Sequence, residues 1–181
     1  MSRPAIFFDR DGVLNDVVWR NGGPASPRAP GELAVSAGAA EAVATAQAAG
    51  FYVFAVTNQP DVARGLMAAE TLDAIHAELA ALLPLDEIIA CTHDNHHQCG
   101  CRKPKPGMLL DLATRHGLDL SASWMIGDQD RDIDCGRAAG CRTALLARPY
   151  NSATGADLVA DTVLAAVSEI LARTRSGASA A

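Results

Sequence analysis

Short apolar runs alternate along the chain with longer, Ala-rich stretches of helical period. Ile6-Phe7-Phe8, Phe51 to Val56, Glu87 to Cys91, Trp124 to Gly127 and Thr143 to Ala147 are brief and apolar. Such runs read as strands covered on both faces. Between them, residues 38–49, 68–83, 106–116 and a short segment ending at Ala139 read as helices. Leu72, Ile75, Leu79 and Leu82 form one stripe on the second. Gly50 ends the first helix at a capping position, and Pro106 opens the third. A last helix is expected over 156–172. Residues 22–31, rich in Gly, Pro and Ala, read as a loop without regular structure. One domain is expected over residues 1–174, with a disordered Ser/Gly/Ala tail over 175–181. Strand followed by helix, repeated this way, predicts a Rossmann-like, doubly wound parallel α/β sheet with right-handed crossovers.

Polar signatures follow the strands that end near Asp9, Thr57, Cys91 and Asp128. In such a sheet these carboxyl ends converge on one crevice. Asp9 and Asp11 lie two residues apart on extended backbone, so their carboxylates point to the same side. One can attack phosphorus while the other handles a proton, and both lie within reach of one divalent cation. Phosphate-monoester hydrolysis also needs neutralisation of charge on the phosphoryl oxygens. Thr57 offers a hydroxyl, the loop after it offers backbone N–H groups, and Lys103 offers positive charge. Asp128 completes a set of hard oxygen donors suited to Mg²⁺. Singly, these residues also suit a turn, a solvated surface pair or a helix N-terminus. Their recurrence after separate strands is what points to a site.

Cys91-x-His93 and Cys99-x-Cys101 place four soft or borderline donors within one loop. Tetrahedral Zn²⁺ suits a Cys₃His set of this kind. The loop precedes Arg102-Lys103, so a zinc clamp would position those cations. His96 and His97 are read as solvated, and Cys135 and Cys141 as small buried residues.

Composition narrows the picture further. Nearly half of the 181 residues are apolar, as in a globular domain. A formal charge of −6 argues against a nucleic-acid partner. No apolar run is long enough to span a membrane, and the N-terminus lacks the pattern of a signal peptide. A cytoplasmic, monomeric protein is expected, with its five cysteines serving as metal ligands or free thiols.

Asp9-Arg-Asp-Gly-Val-Leu-Asn15, Thr57-Asn-Gln59, Cys101-Arg-Lys-Pro-Lys-Pro-Gly107 and Gly127-Asp128 with Asp132 resemble, in order, the four motifs of the haloacid dehalogenase superfamily. The cysteine loop is similar to that of its histidinol-phosphatase-like branch. The resemblance implies an uncapped fold with a zinc-binding loop, because the intervals between motifs leave no room for a large cap. It implies Asp9 as nucleophile, Asp11 as acid and base, and Thr57 and Lys103 on the phosphoryl group. Mg²⁺ would sit on Asp9, Asp128 and the backbone carbonyl of Asp11; structural Zn²⁺ would sit on Cys91, His93, Cys99 and Cys101. Arg102 would recognise substrate, with Arg10, Asn58, Gln59 and Gln129 as further contacts. The implied substrate is a small sugar phosphate, foremost a heptose bisphosphate. Alternatives are histidinol phosphate, a polynucleotide 3′-phosphate and a zinc-stabilised binding module without activity. Pro60-Asp61 and Val17-Val-Trp-Arg20 depart from the pattern of heptose-directed members, and Pro60 has no N–H to donate. The resemblance puts Val17 to Arg20 at the substrate's sugar end, where Trp19 could stack on a sugar face and Arg20 could hold a second phosphate.

Overall fold

A computed structural model describes residues 2–152 and 155–178. In chain order the elements are β1 (Ala5–Phe8), β2 (Val18–Arg20), β3 (Gly23–Ala25), α1 (Ala39–Ala48), β4 (Tyr52–Asn58), α2 (Ala69–Leu82), β5 (Glu87–Cys91) and α3 (Gly107–His116). They continue with β6 (Trp124–Gly127), α4 (Asp130–Ala138), β7 (Arg142–Leu146), β8 (Leu158–Ala160) and α5 (Val163–Ala178). Six strands form one sheet in the order β5-β4-β1-β6-β7-β8, and every pairing in it is parallel.

The central strand explains the layering. All four residues of β1 are buried, and alternation sends Ile6 and Phe8 to one face and Ala5 and Phe7 to the other. Ile6 and Phe8 meet Ala42, Val43 and Ala46 of α1 and Val167 and Ile170 of α5. Phe7 meets Met108, Leu109 and Leu112 of α3 and Cys135 of α4. Both faces are therefore covered, and β1 has no amphipathic alternation for a sequence pattern to display. Truncating Phe7 to Ala would open a cavity worth roughly 3–5 kcal/mol.

Three features differ from expectation. Residues 22–31 are not wholly irregular: β2 and β3 pair antiparallel with Arg20 opposite Gly23. Asn21 and Gly22 make the turn with φ of 50° and 79°, a two-residue hairpin that the Asn-Gly dipeptide favours. A short 3₁₀ turn over Pro30–Glu32 follows. At the other edge, the stretch expected to be helical from 156 contains β8. The Asp157 carboxylate accepts hydrogen bonds from the Thr143 N–H at 2.8 Å and its hydroxyl at 2.9 Å, pinning this strand to β7. Finally, α5 runs to Ala178, past the Thr174 limit. Residues 179–181 of the expected disordered tail lie outside the described residues.

Candidate active site

The carboxyl ends of β1, β4 and β6 deliver Asp9, Thr57 and Asp128 to one crevice of about 60 Å³. Asp11, Asn58 and Gln129 line it as well, together with Ser26 and Arg131. Parallel register fixes this convergence: Phe8 lies beside Ala55 on one flank and Ile126 on the other, so the three strands end almost level.

Lys103 lies beneath the crevice, wholly enclosed, its ammonium 2.9 Å from Asp9 Oδ1 and 2.6 Å from Asp132 Oδ1. It also donates to the Val56 carbonyl at 2.8 Å. Burial opposes its charge, but Asp132 and Asp9 outweigh that and hold its pKa above the ordinary lysine range. Oxygens of Asp9, Asp128 and Asp132 all lie within 4.8 Å of one another. Burial and the Asp132 carboxylate push Asp9 up to about 7, against the pull of Lys103. Burial and Asp132 likewise push Asp128 up to about 6. Three carboxylates thus face one ammonium, an imbalance that a divalent cation on hard oxygen donors would correct.

Asp11 has the opposite setting. Its carboxylate accepts from the Arg10 guanidinium at 2.9 Å, Asn15 at 3.0 Å, Ser26 at 2.7 Å and Gln59 at 2.9 Å. Burial would raise its pKa, but Arg10 and these donors hold it below the usual carboxylate value. Arg10, read from the sequence as a substrate contact, is a partner of Asp11 in the structure. It is fully buried, with its guanidinium facing Asp11 and, 3.0 Å away, the ring nitrogen of His76. Gln59 is also fully buried, and its amide donates to both Thr57 and Asp11. Asn58 pairs through its side-chain amide with the backbone N–H and carbonyl of Lys103, each at 3.0 Å. These two side chains hold the crevice together from behind.

Among the described residues, Cys91, His93, Cys99 and Cys101 form the second cluster able to hold a metal ion. Cys91 Sγ lies 3.2 Å from Cys101 Sγ, 3.6 Å from Cys99 Sγ and 3.5 Å from His93 Nδ1. A tetrahedron with Zn–S bonds of about 2.3 Å has edges of roughly 3.8 Å, close to this spacing. His97 instead accepts the Asp94 N–H, and Cys135 and Cys141 are buried elsewhere.

Several residues that hold the site carried no readable signal. The loop after β7 reaches back across the crevice, where the Tyr150 hydroxyl donates to Asp128 Oδ2 at 2.5 Å. Asn151 donates to the Asp128 carbonyl at 2.7 Å, and Arg148 to the Gly12 carbonyl at 2.9 Å. Gly12 is required here: a Cβ would come within 2.2 Å of Asp128 Oδ2 and 2.8 Å of the Tyr150 hydroxyl. Trp19 is exposed and meets Tyr150 edge-on, with ring centroids 6.1 Å apart. It lines a larger cavity of about 520 Å³ that none of the crevice carboxylates reaches. Arg20 is held by Glu32 at 2.5 Å and by the Ser26 carbonyl at 2.6 Å. Arg102 donates to Asn95 and to the His93 carbonyl, at the edge of the cysteine loop.

An uncapped parallel sheet whose strand ends present four aspartates and a buried lysine defines a class, the phosphoryl-transfer hydrolases of the HAD-like type. The HAD-hydrolase-like family model matches residues 100–169. A D-glycero-β-D-manno-heptose-1,7-bisphosphate 7-phosphatase of Pseudomonas aeruginosa is 35% identical over 155 residues, covering 81% of this chain and 82% of that one. The D-glycero-D-manno-heptose-1,7-bisphosphate 7-phosphatase of Thermosynechococcus vestitus is 34% identical over 92% of this chain and 95% of its own. The crystal structure of D,D-heptose 1,7-bisphosphate phosphatase from B. bronchiseptica, complexed with magnesium and phosphate, superposes with a TM-score of 0.80 at 31% identity. That likeness covers 94% of this chain and 99% of the other. The chain belongs to the HAD-like phosphatase family of which these heptose-bisphosphate phosphatases are members, and it is a phosphoric monoester hydrolase.

Proposed function

We propose that the protein is a Mg²⁺-dependent phosphatase that removes the 7-phosphate of D-glycero-D-manno-heptose 1,7-bisphosphate and leaves the 1-phosphate. The observation that carries this reading is the buried Lys103, 2.9 Å from Asp9 and 2.6 Å from Asp132, in a crevice shared with Asp11 and Asp128. An ammonium fixed there restrains the nucleophile and counters charge on a phosphoryl oxygen. Relatives 34% and 35% identical to this chain bear the heptose-bisphosphate name.

A carboxylate oxygen of Asp9 attacks phosphorus, the bond to the sugar oxygen breaks, and Asp11 gives that oxygen its proton. Asp11 then takes a proton from water, whose oxygen attacks the aspartyl-phosphate and frees phosphate and Asp9. The donors around Asp11 favour its ionised form, which suits the second half of this cycle. An arriving phosphoryl dianion acts in the opposite sense and favours the protonated acid for the first half. Thr57 supplies a hydroxyl to a phosphoryl oxygen. Mg²⁺ held by Asp9, Asp128 and the backbone carbonyl of Asp11 would neutralise developing charge on those oxygens. Cys91, His93, Cys99 and Cys101 would hold a closed, structural Zn²⁺ that fixes the loop carrying Arg102 and Lys103.

The test is phosphate release, in Mg²⁺, from heptose 1,7-bisphosphate beside histidinol phosphate. Preference for the bisphosphate is expected, and preference for histidinol phosphate would overturn the substrate assignment. Asp9→Asn should lower kcat by about 10³-fold or more; a variant that keeps its turnover would remove Asp9 from the nucleophile's role.

A further inference from the structure

Beside the Asp9 crevice lies a second cavity of about 240 Å³, and the two share Ala25, Ser26, Asn58 and Arg131. Five guanidinium groups line this neighbour, from Arg20, Arg28, Arg64, Arg102 and Arg131. Four of them have partners. Arg20 is held by Glu32, and Arg28 reaches Asp61 at 2.7 Å. Arg64 makes two hydrogen bonds to Asp94, at 2.8 and 2.7 Å, and Arg102 binds Asn95 and the His93 carbonyl. Arg131 is different. It stands exposed in the first turn of α4, and among the described residues its side chain makes no hydrogen bond and no ion pair. The cavity remains cationic after its internal pairings, because three carboxylates, Glu32, Asp61 and Asp94, answer five guanidinium groups. This occurs in a chain whose net charge is −6.

The placement distinguishes the two cavities chemically. Lys103 and Thr57 belong to the crevice around Asp9, where the reacting phosphoryl group must sit. The arginine cavity adjoins it through Ala25, Ser26, Asn58 and Arg131. A guanidinium binds a phosphate through two parallel N–H donors, with directionality that an ammonium lacks. To do this, Arg20, Arg28 and Arg64 would have to give up a carboxylate, and Arg102 its hydrogen bonds to Asn95 and the His93 carbonyl. Arg131 gives up no hydrogen bond, although its cation also acts on the Asp128 carboxylate, and it borders both cavities.

We infer that Arg131 is the specificity-determining residue for a second phosphate on the leaving group, selecting bisphosphates over monophosphates of the same sugar. This rests on the phosphatase reading above and adds to it the residue that reads the remote end of the substrate. Arg20, which the sequence offered for that task, is occupied by Glu32.

The experiment compares the wild type with Arg131→Ala and Arg131→Lys. It measures kcat and KM on heptose 1,7-bisphosphate and on the matching 7-phosphate. In Arg131→Ala the ratio of kcat/KM for bisphosphate over monophosphate should fall by about tenfold or more, chiefly through KM. Arg131→Lys should recover part of that ratio, because the charge remains while the fork is lost. An unchanged ratio in Arg131→Ala, whether both substrates slow together or neither does, overturns the inference. So does a wild type that does not prefer the bisphosphate. In that case continued release from the 7-phosphate would leave the phosphatase reading standing.

Discussion

Lys103 is enclosed between Asp9 and Asp132, so removing it leaves two buried carboxylates facing each other without a cation. Lys103→Met should therefore destabilise the fold by about 3–5 kcal/mol, measured by urea unfolding at neutral pH. A loss below about 1 kcal/mol would mean that the carboxylates neutralise themselves by taking up protons. Tyr150 acts more locally, because its hydroxyl fixes one oxygen of Asp128, a residue that lines the crevice. Tyr150→Phe should weaken Mg²⁺ binding several-fold in isothermal titration calorimetry, and an unchanged affinity would assign the hydroxyl to packing alone. At this scale the sequence was informative wherever a residue's chemistry and its strand end coincided. Asp9, Asp11, Thr57, Lys103 and Asp128 could be named because each closes or follows a legible motif. Tyr150 and Arg131 could not. Tyr150 belongs to a loop 22 residues beyond Asp128, and a lone arginine in a helix's first turn resembles any solvated surface residue.

The cysteine loop leads directly into Arg102 and Lys103. It links β5 to α3, its Cys91 lies at the end of β5, and Lys105 ties it down through the carbonyls of Gln98 and Cys99. Chelating zinc and then resupplying Mg²⁺ should lower both Tm and phosphatase activity; full activity in such protein would refute a role for zinc in positioning Lys103. The β2–β3 hairpin shows how local information can be present yet outweighed. Asn21-Gly22 encodes a tight turn, but strands of three residues each are too short to display alternation, and the surrounding Gly and Pro read as irregular. Strand β8 was hidden for a related reason. Leu158–Ala160 gains its strand character from the Asp157 clamp on Thr143 and from β7, neither of which is adjacent in sequence.

For the whole molecule, the buried Arg10–His76 contact couples folding to pH. Burial and the Arg10 cation lower the His76 pKa to about 4. Its contribution to stability is therefore complete above the unfolded value of about 6.5 and is lost as pH falls from there toward 4. The full effect is on the order of 3 kcal/mol. Urea unfolding at pH 7.5 and pH 5 should show the wild type losing stability on the acid side, with a shallower loss in His76→Gln. Equal losses in the two proteins would exclude His76 as the source. The same contact separates what the chain determines alone from what folding decides. Apolar runs, helical stripes and strand-end aspartates are local patterns, so sequence by itself determined the parallel α/β sheet and the edge on which the candidate site lies. Which arginines are paired, which oxygen of Asp128 is held, and how Arg10 comes to lie against His76 depend on distances between residues far apart in the chain. Those distances exist only once the sheet is closed and both its faces are covered, and only the tertiary structure could decide them.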